Sequence, residues 1–487
     1  MYIGLDIGTS GVKGVLVDAD QTILANATSS LDVSRPHDLW SEQNPHDWWR
    51  AVNDVMAQLR RAGAQNYPAV SGIGLSGQMH GATLLDANND VLRPAILWND
   101  GRSGTECTEL GEREPALAHI TGNLAMPGFT APKLLWTAKH EPDVFAKTAR
   151  VLLPKDYVRL CMTGEAVSDM SDSAGTLWLD VATRDWSDAM LAATNLKRSH
   201  MPRLVEGSDA SGTLKTEVAA DWGLSPNVVV AGGAGDNAAG AAGIGAVSPG
   251  RAFLSLGTSG VYFLSNARYS PNPEQGVHAF CHCLPNTWHQ MSVILSAASC
   301  LSWVAGLTGA PNEIQLLDEI EAANDNSSTV VFLPYLSGER TPHNDPHAKG
   351  VFFGLSHVTG RAALGRAVLE GVAFAFADGQ DALLAADADI AEVSVIGGGA
   401  QSNYWGRILA SVLGRELTYH AAGEVGPAFG AARLGRLAVT GENPTNVCMP
   451  PPVDHVIEPD GNLRDALGAR LDRFRRLYPL LKPEFQA

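Results

Sequence analysis

Asp6-Ile7-Gly8-Thr9-Ser10-Gly11-Val12-Lys13, near the start of the chain, has a counterpart half a chain later in Ser255-Leu256-Gly257-Thr258-Ser259-Gly260-Val261. Each copy follows or ends an apolar segment typical of a β-strand and then turns on Gly-Thr-Ser-Gly. A strand–turn–strand unit repeated at this spacing predicts two similar halves that face each other across a cleft. Because such turns can hold phosphate through backbone N–H groups, the repeat favours a nucleotide enzyme with two phosphate-binding loops.

Composition indicates a globular enzyme. Of the 487 residues, 45% are hydrophobic and 18% are charged, which suits two domains with large cores. No apolar run approaches the roughly 18 residues that a membrane-spanning helix needs. Met1 leads directly into the apolar segment 2–5, which leaves no room for a secretory signal. Six cysteines are too few for a disulfide scaffold, so we expect a cytoplasmic protein.

The net charge of −17 argues against a nucleic-acid partner, because no run of Lys and Arg forms the basic patch that such a partner needs. It does not exclude ATP, since ATP binds with Mg²⁺ and against backbone dipoles. The longest basic cluster is Arg470, Arg473, Arg475 and Arg476. The apolar residues between these arginines predict that they form the polar face of a C-terminal helix.

Hydrophobic periodicity predicts alternating strands and helices, the pattern of an α/β protein. In the first half it predicts a β-meander over 2–32, a helix over 48–62 and strands over 70–75 and 228–235, and it marks 91–98 as a further apolar stretch. In the second half it predicts a hairpin around the second turn, a helix over 361–384, a strand over 393–396 and a small-residue helix after Gly426. The proline-rich stretch 443–461 predicts a surface excursion.

Asp6 is the first candidate functional residue. An acidic residue at the end of a strand, beside a Gly-Thr-Ser turn, can hold Mg²⁺ through water while the turn binds phosphates. The alternative is an ordinary hairpin with an aspartate at its mouth. The second copy of the turn favours the functional interpretation.

Two other nucleotide motifs do not account for this pattern. The chain contains no Gly-x-x-x-x-Gly-Lys-Ser/Thr sequence, so it is not a P-loop enzyme. Gly72, Gly74 and Gly77 form a Gly-x-Gly-x-x-Gly string. No clear helix follows it and no acidic residue ends a second strand about 20 residues later, so we do not interpret it as a dinucleotide fingerprint.

Asp236 is the candidate catalytic residue. It follows the strand over 228–235 in the sequence Gly235-Asp236-Asn237. A carboxylate on a glycine turn at a strand's end could take the proton of a substrate hydroxyl that attacks a γ-phosphate. The alternative is that Asp236 caps a helix that begins at Asn237, and both interpretations can hold at once.

His80 is the candidate sugar-binding residue, because the segment Gln78-Met79-His80 follows a buried strand and its imidazole could bind a sugar hydroxyl. A structural histidine with satisfied hydrogen bonds is the alternative. His278, Cys281, His282 and Cys283 suggest a metal site, but on a strand the two cysteines face one way and the two histidines the other. A buried core strand is therefore the better interpretation.

Two glycine-rich breaks follow strands in the second half, one at 397–399 and one around Gly426-Pro427-Ala428. Glycine lets a flat ring approach the backbone closely, which suits a nucleotide base. Tight packing of a helix on a strand is the alternative.

Taken together, seven segments resemble the FGGY family of carbohydrate kinases. They occur in the family's order from residue 2 to about 436, and the resemblance extends more weakly to the terminal helix. The segments are Asp6-Ile7-Gly8-Thr9-Ser10, Gly77-Gln78-Met79-His80-Gly81, Trp98-Asn99-Asp100-Gly101-Arg102, Gly235-Asp236-Asn237-Ala238-Ala239-Gly240, Ser255-Leu256-Gly257-Thr258-Ser259-Gly260, Gly338-Glu339-Arg340-Thr341-Pro342 and Gly397-Gly398-Gly399-Ala400.

The resemblance implies a two-domain α/β ATPase of the actin/hexokinase-like (ribonuclease H-like) fold, with a sugar-binding domain over 1–245 and a nucleotide-binding domain over 246–487. It implies transfer of the ATP γ-phosphate to a sugar hydroxyl, with Mg²⁺ held by Asp6 through water and Asp236 as general base. Its implied sugar-site residues are Met79, His80, Asp236 and Asn237. Its implied phosphate-binding residues are Thr9, Ser10, Lys13, Gly257, Thr258 and Ser259, and its implied adenosine-binding residues are Gly398, Gly399, Ala400 and Asn403.

Gln78-Met79-His80 resembles the family members that phosphorylate D-xylulose, whereas members that act on glycerol carry Gln-Arg-Glu there. The resemblance therefore implies ATP-dependent formation of D-xylulose 5-phosphate in xylose catabolism, by a homodimer. A kinase for another ketose or polyol stays open. The rival from another class is an actin- or chaperone-type ATPase, which the sugar-side residues disfavour and which would turn over ATP without a sugar.

Overall fold

Two halves of the chain each contribute one seven-stranded mixed sheet to the structure, a computed structural model that describes residues 1–323, 328–421 and 426–486. The N-terminal strands are β1 Tyr2–Ile7, β2 Gly11–Val17, β3 Ile23–Ser30, β4 Glu42–Gln43, β5 Gly72–Gly77, β6 Thr83–Leu85, β7 Ala95–Ile96, β8 Arg150–Leu152, β9 Val167–Asp169, β10 Leu179–Asp180, β11 Asp185–Trp186, β12 Arg203–Val205, β13 Ala210–Thr213, β14 Val229–Ala231 and β15 Ala234–Gly235. The N-terminal helices are α1 Pro45–Ala62, α2 Gly104–Arg113, α3 Leu117–Thr121, α4 Thr130–His140, α5 Pro142–Lys147, α6 Pro154–Thr163, α7 Met170–Ala174, α8 Asp188–Ala193, α9 Thr216–Trp222 and α10 Asp236–Ile244.

The C-terminal half has the same alternation of strands and helices. Its strands are β16 Arg251–Leu256, β17 Gly260–Asn266, β18 His278–Cys281, β19 Trp288–Ile294, β20 Val331–Leu333, β21 Val351–Phe353, β22 Glu392–Ile396, β23 Leu417–His420 and β24 Val453–Ile457. Its helices are α11 Ala298–Thr308, α12 Glu313–Ala323, α13 Arg361–Leu384, α14 Asn403–Leu413, α15 Pro427–Thr440, α16 Pro444–Val447 and α17 Gly461–Phe485. Short 3₁₀ helices span Tyr67–Ala69, Arg198–His200, Pro273–Gln275 and Gly398–Gln401.

The two large sheets share the order of their five central strands, and the second sheet carries β18 as an additional edge strand on β19. In the first, β1, β2 and β3 form an antiparallel meander, and β5 and β14 continue from β1 in parallel. In the second, β16, β17 and β19 form the meander, and β22 and β23 continue from β16 in parallel. The repeat that the two Gly-Thr-Ser-Gly turns predict is therefore confirmed, since each turn joins the first two strands of its meander.

Helix α15 packs on the sheet of the other half. A Cβ atom on Gly4 would lie 1.8 Å from Ala428 O, and one on Gly74 would lie 1.8 Å from Ala431 O. Strands β1 and β5 thus contact the backbone of α15 directly, and only glycine leaves room for this contact. The side chain of Arg433 on α15 extends the contact by donating to the carbonyl oxygen of Ala242 on α10 (2.8 Å).

Helix α10 of the N-terminal half packs, in turn, towards the sheet of the C-terminal half. Its residues Ala241 and Ile244 are buried in the same apolar cluster as Phe253, Phe263 and Met291 of the second sheet. Helices α10 and α15 also contact each other, since a Cβ on Gly430 would lie 1.8 Å from Ala239 O. Each half therefore sends one helix across to the other. The boundary at 245/246 stays a prediction.

Most predicted elements are confirmed, and the long helix has the predicted bounds, Arg361–Leu384. Two predictions need correction. The predicted strand over 228–235 is divided into β14 Val229–Ala231 and β15 Ala234–Gly235. The stretch 443–461 is not only a surface excursion, because α16 and β24 lie in it and β24 pairs with β23. Its prolines at 450–452 precede the strand, where a missing N–H removes no ladder hydrogen bond.

The basic cluster near the C-terminus lies on the predicted helix, but it is not simply a solvated face. Arg470 is buried and pairs with Glu370 of α13 (3.1 Å). Arg475 pairs with Asp378 (2.7 Å) and Asp381 (2.6 Å) of the same helix. These ion pairs connect α17 with α13. None of the helices in the described ranges is long and apolar enough to cross a membrane.

Candidate active site

A cleft of about 1030 Å³ lies between the two halves. Five of the predicted site residues line it: Asp6, Lys13, Gly398, Ala400 and Asn403. The N-terminal half contributes residues of β1, β2 and β3, and the C-terminal half contributes the ends of β22 and β23, the start of α15 and part of β24. The cleft has the position expected for a nucleotide bound between two similar halves.

The first predicted phosphate loop is tied to the predicted sugar side. Thr9 Oγ1 donates to Gln78 Oε1 (2.9 Å) and accepts from the indole N–H of Trp98 (3.0 Å). Gln43 Nε2 donates to the Thr9 carbonyl oxygen (2.7 Å). Ser10 is exposed at the tip of the turn. The loop and the segment that carries His80 therefore form one hydrogen-bonded unit.

The second predicted phosphate loop rests on the N-terminal end of α11. The carbonyl oxygen of Gly257 accepts from Ala298 N (2.9 Å), and that of Thr258 accepts from Ala297 N (2.9 Å) and Ser299 Oγ (2.8 Å). The side chains of Thr258 and Ser259 are exposed. Neither these residues nor Gly257, Thr9, Ser10 and Gly399 are among the described residues that line the cleft.

The predicted adenosine loop packs on the second phosphate loop. A Cβ on Gly397 would lie 2.8 Å from Leu256 O, and one on Gly399 would lie 2.9 Å from Leu256 Cβ, whereas Gly398 has open space beside it. Tight packing therefore explains the outer two glycines, whereas Gly398 has open space on the side of a ligand. Asn403 Oδ1 lies 3.0 Å from His455 Nε2 on β24. His455 is a cleft residue that the sequence did not indicate.

Asp6 lies at the end of β1, opposite Lys13 on β2 and Ser76 on β5. Its Oδ1 accepts a hydrogen bond from Ser76 Oγ (2.9 Å). Burial raises the pKa of Asp6, while the Ser76 hydrogen bond and the charge of Lys13 oppose that rise. A carboxylate at the mouth of a phosphate turn is the ligand type that Mg²⁺ prefers, so Asp6 fits the predicted water-mediated site.

Asp236 is the first residue of α10, directly after β15. Its Oδ1 accepts from Asn237 N (2.7 Å) and Asn237 Nδ2 (2.9 Å). The N-cap of α10 is Gly235, so the alternative that Asp236 is the capping residue is wrong. Burial, and then the negative charge of Asp6, raise the pKa of Asp236 to about 7. A carboxyl with that pKa can accept and return a proton near neutral pH.

His80 has a positive φ of 69° and is held by main-chain partners. Its Nδ1 lies 2.6 Å from Gly175 O, so that nitrogen carries the proton and Nε2 is left as a hydrogen-bond acceptor. Burial, followed by the charge of Lys133, lowers the pKa of His80 to about 3, which keeps the imidazole neutral. Met79 packs against Gly235, the residue before Asp236, because a Cβ on Gly235 would lie 3.0 Å from Met79 Sδ.

Arg340 of the C-terminal half is close enough to His80 to lower its pKa further. Its Nη1 donates to His278 Nε2 (3.1 Å), and His278 Nδ1 lies 2.9 Å from Asn123 Oδ1 of the N-terminal half. The sequence marked Arg340 only as part of a family segment. Because these residues are far apart in the chain, their contacts leave no local sequence pattern from which they could be predicted.

The segment 278–283 is buried, as its interpretation as a core strand predicts, but the strand ends at Cys281, so His282 and Cys283 lie beyond it. His278 and Cys281 lie in β18, and all four side chains are buried. No group of three or more His, Cys, Asp or Glu within 1–323, 328–421 and 426–486 could hold a metal ion. His282 is instead a packing residue, with its ring edge against Phe263.

Two sheets with one central strand order and a cleft between the two halves define a two-domain protein of the actin/hexokinase-like ATPase fold. Comparisons with known proteins identify the family within this fold class. The model of the FGGY family of carbohydrate kinases, N-terminal domain, matches residues 1–243, and that of the C-terminal domain matches residues 252–439. The chain therefore belongs to the FGGY family of carbohydrate kinases, whose members use ATP as the phosphate donor.

Full-length relatives agree with this assignment. A xylulose kinase from Escherichia coli K12 is 54% identical over 99% of this chain and 99% of its own length. The crystal structure of a "xyloylose kinase" from Brucella ovis has 53% identity and a TM-score of 0.97, and it covers 99% of each chain. That of a xylulose kinase from Rhodospirillum rubrum has 30% identity and a TM-score of 0.94 over 100% of both chains.

Proposed function

We propose that this carbohydrate kinase transfers the γ-phosphate of ATP to the 5-hydroxyl of D-xylulose and so forms D-xylulose 5-phosphate. The observation that carries the proposal is the full-length similarity to the xylulose kinase of Escherichia coli, at 54% identity over 99% of both chains. Fold alone would not choose a substrate, because one fold serves many sugars. The side chains around Asp236 supply the mechanism.

The sugar binds beside Met79, His80, Asp236 and Asn237. Because His80 is neutral and its Nδ1 proton is used on Gly175 O, its Nε2 accepts a hydrogen bond from a sugar hydroxyl. Met79 is buried beside Gly235 and offers an apolar surface to the carbon chain of the sugar. Asn237 fixes the Asp236 carboxylate through two hydrogen bonds to one oxygen, which leaves the other oxygen for the substrate.

Asp236 is the general base. It takes the proton of the 5-hydroxyl as that oxygen attacks the γ-phosphate in line. The halves close around the substrates and exclude water, since the phosphate must be brought within reach of the sugar.

The nucleotide occupies the cleft between the halves. Its adenosine lies against Gly398, Gly399, Ala400 and Asn403, and its phosphates reach Thr9, Ser10 and Lys13 on one side and Gly257, Thr258 and Ser259 on the other. Asp6 would hold Mg²⁺ through water, and the ion would neutralise charge on the transferred phosphoryl group. A single carboxylate suits Mg²⁺, which keeps several waters and takes its other ligands from substrate phosphates.

We also propose that the protein works as a cytoplasmic homodimer, which rests on the family resemblance. Light scattering coupled to size-exclusion chromatography would measure the mass of the assembly. A monomer mass would contradict the dimer without affecting the proposed reaction.

The substrate is tested by ADP release from MgATP with D-xylulose, L-ribulose, D-ribulose, D-gluconate, glycerol or no sugar. We expect the highest kcat/KM with D-xylulose. Preference for another sugar would agree with a carbohydrate kinase but would overturn the assignment of D-xylulose as its substrate. ADP release that does not depend on a sugar would overturn the metabolic role.

The base is tested by Asp236→Asn, which keeps the size and polarity of the side chain but cannot accept the proton. We expect kcat to fall by about 10²–10⁴-fold, while D-xylulose still binds. Asp221→Asn, at an exposed aspartate of α9, is the control and should keep its kcat. A wild-type kcat for Asp236→Asn would overturn the assigned base.

A further inference from the structure

The five-residue helix α7 touches both sides of the proposed sugar site. Beyond its C-terminal end, the Gly175 carbonyl oxygen accepts from His80 Nδ1 (2.6 Å). At its N-terminal end, the hydroxyl of Ser171 accepts from the backbone N–H of Gly235 (3.1 Å). Gly235 immediately precedes Asp236. Helix α7 and the glycine after it therefore contact His80 directly, and they contact Asp236 through the residue that precedes it.

Ser171 itself is held in place. Its hydroxyl donates to Asp169 Oδ2, and the same carboxylate oxygen accepts from Ser171 N (2.8 Å), which caps α7. Ser171 and Asp169 are both buried. The Ser171 hydroxyl donates its proton to Asp169, so the lone pair that it presents to Gly235 N has a fixed direction.

Asp169 belongs to a buried charge cluster around Lys155. The Lys155 ammonium lies 2.6 Å from Asp156 Oδ1, 2.7 Å from Asp169 Oδ1 and 3.2 Å from Asp172 Oδ2, and all four side chains are fully buried. Burial disfavours the charged form of Lys155, but these carboxylates raise its pKa overall. Lys155 thus stays charged and holds Asp169.

Arg159 connects the same cluster to the chain ahead of Asp236. Its guanidinium pairs with Asp156 (2.7 Å) and also donates to the carbonyl oxygen of Gly232. The cluster therefore holds the segment 232–235 at both ends, through Gly232 O and Gly235 N. Buried ion pairs give little net stability, because desolvation offsets their attraction. Fixing the geometry of this segment is a role that such a costly arrangement can fulfil.

We propose that Ser171 is a positioning residue for Asp236, and that α7 sets the separation between the Asp236 carboxylate and the His80 imidazole. The inference rests on the proposed function, since it takes Asp236 as the base. Without the Ser171 hydroxyl, Gly235 N–H would lose its acceptor in a buried site, and the first turn of α10 would shift to find another. The carboxylate would move with that turn.

The test is Ser171→Ala, compared with Ser411→Ala. Ser411 is the matched control because it is also buried, accepts a backbone N–H (Asp460 N, 3.1 Å) and donates to a backbone carbonyl oxygen. Both variants should lose similar thermal stability. We expect kcat of Ser171→Ala to fall about tenfold, with KM for ATP unchanged, because a small misplacement of a reacting group is costly. Ser411→Ala should keep its kcat.

Ser171→Thr keeps the hydroxyl and should recover most of the lost kcat. If Ser171→Ala lowers kcat no more than Ser411→Ala does, or if it raises only KM for ATP, the positioning role is wrong. These results are distinct from failure of the proposed function. A wild-type kcat for Asp236→Asn would remove the base itself, whereas an inactive Asp236→Asn beside a fully active Ser171→Ala would remove only the role of Ser171.

Discussion

Asp236, the proposed general base, shows at the scale of a single residue how a carboxyl group is held in a form that costs stability. Its pKa of about 7 results first from burial and then from Asp6. An unfolded aspartate ionises near pH 4. Between these two pH values the unfolded chain has released a proton that the folded chain keeps, so folding becomes less favourable as pH rises and the full cost is present above about pH 7.

Asp236→Asn should therefore stabilise the free protein, and more at high pH than at low pH. We expect Tm to rise by roughly 2–4 °C at pH 8, and by less at pH 5, where the wild-type carboxyl is still protonated in the folded state. Differential scanning calorimetry without substrates measures both values. The exposed-site variant Asp221→Asn should show no such difference between the two pH values. An equal rise in Tm for Asp236→Asn at pH 5 and at pH 8 would contradict the raised pKa of Asp236.

The sequence indicated the residues proposed to touch substrates better than the residues that hold them in place. Asp6 and Asp236 were recognisable because each lies where a strand ends at a glycine turn, a local pattern. Gly175, Ser171 and Arg340 act through contacts with residues far away in the chain, and such contacts leave no periodicity or spacing to find. Their partners became visible only when the fold brought the segments together.

Helix α15 shows the same limit at the scale of an element. Its small residues predicted a helix, but not that it would lie on the sheet of the other half. The Gly-x-Gly-x-x-Gly string has a packing role that the sequence did not indicate. Gly72 and Gly74 face the backbone of α15, with Cβ positions only 2.6 Å from Gly435 O and 1.8 Å from Ala431 O.

Gly74→Ala should destabilise the protein by more than about 3 kcal/mol, because an added methyl group would overlap the backbone of α15 and neither element can move freely. Gly111→Ala is the control, since Gly111 lies inside α2 with no atom near its Cβ position. That change should raise the free energy of unfolding by about 0.5–1 kcal/mol. Urea unfolding followed by circular dichroism measures both free energies. A stable Gly74→Ala protein would mean that α15 does not pack closely on β5.

At the scale of the whole molecule, the paired Gly-Thr-Ser-Gly turns were enough to predict two halves of one topology. They did not predict that α10 and α15 cross between them. A repeat in sequence reports similar local units, whereas the exchange of helices depends on glycines in both halves that meet only after folding.

The crossing predicts that neither half is stable by itself. A fragment of residues 1–245 would leave the glycine face of β1 and β5 without α15, and would expose the apolar residues of α10. We expect it to aggregate or to unfold without a cooperative transition when produced alone. Production together with residues 246–487 should restore a soluble complex with sugar-dependent ADP release. A monomeric fragment 1–245 that unfolds cooperatively would contradict this prediction.

The exchange of helices also constrains how new variants can be made by recombination between relatives. A chimera joined near residue 245 would combine the first sheet of one parent with the α15 of the other, and the contacts at Gly4 and Gly74 would then bring together backbones from two different parents. A double crossover that transfers residues 427–440 together with the first half would keep both sides of that contact from one parent. Breakpoints chosen by this contact, rather than by position along the gene, should give the larger share of active hybrids.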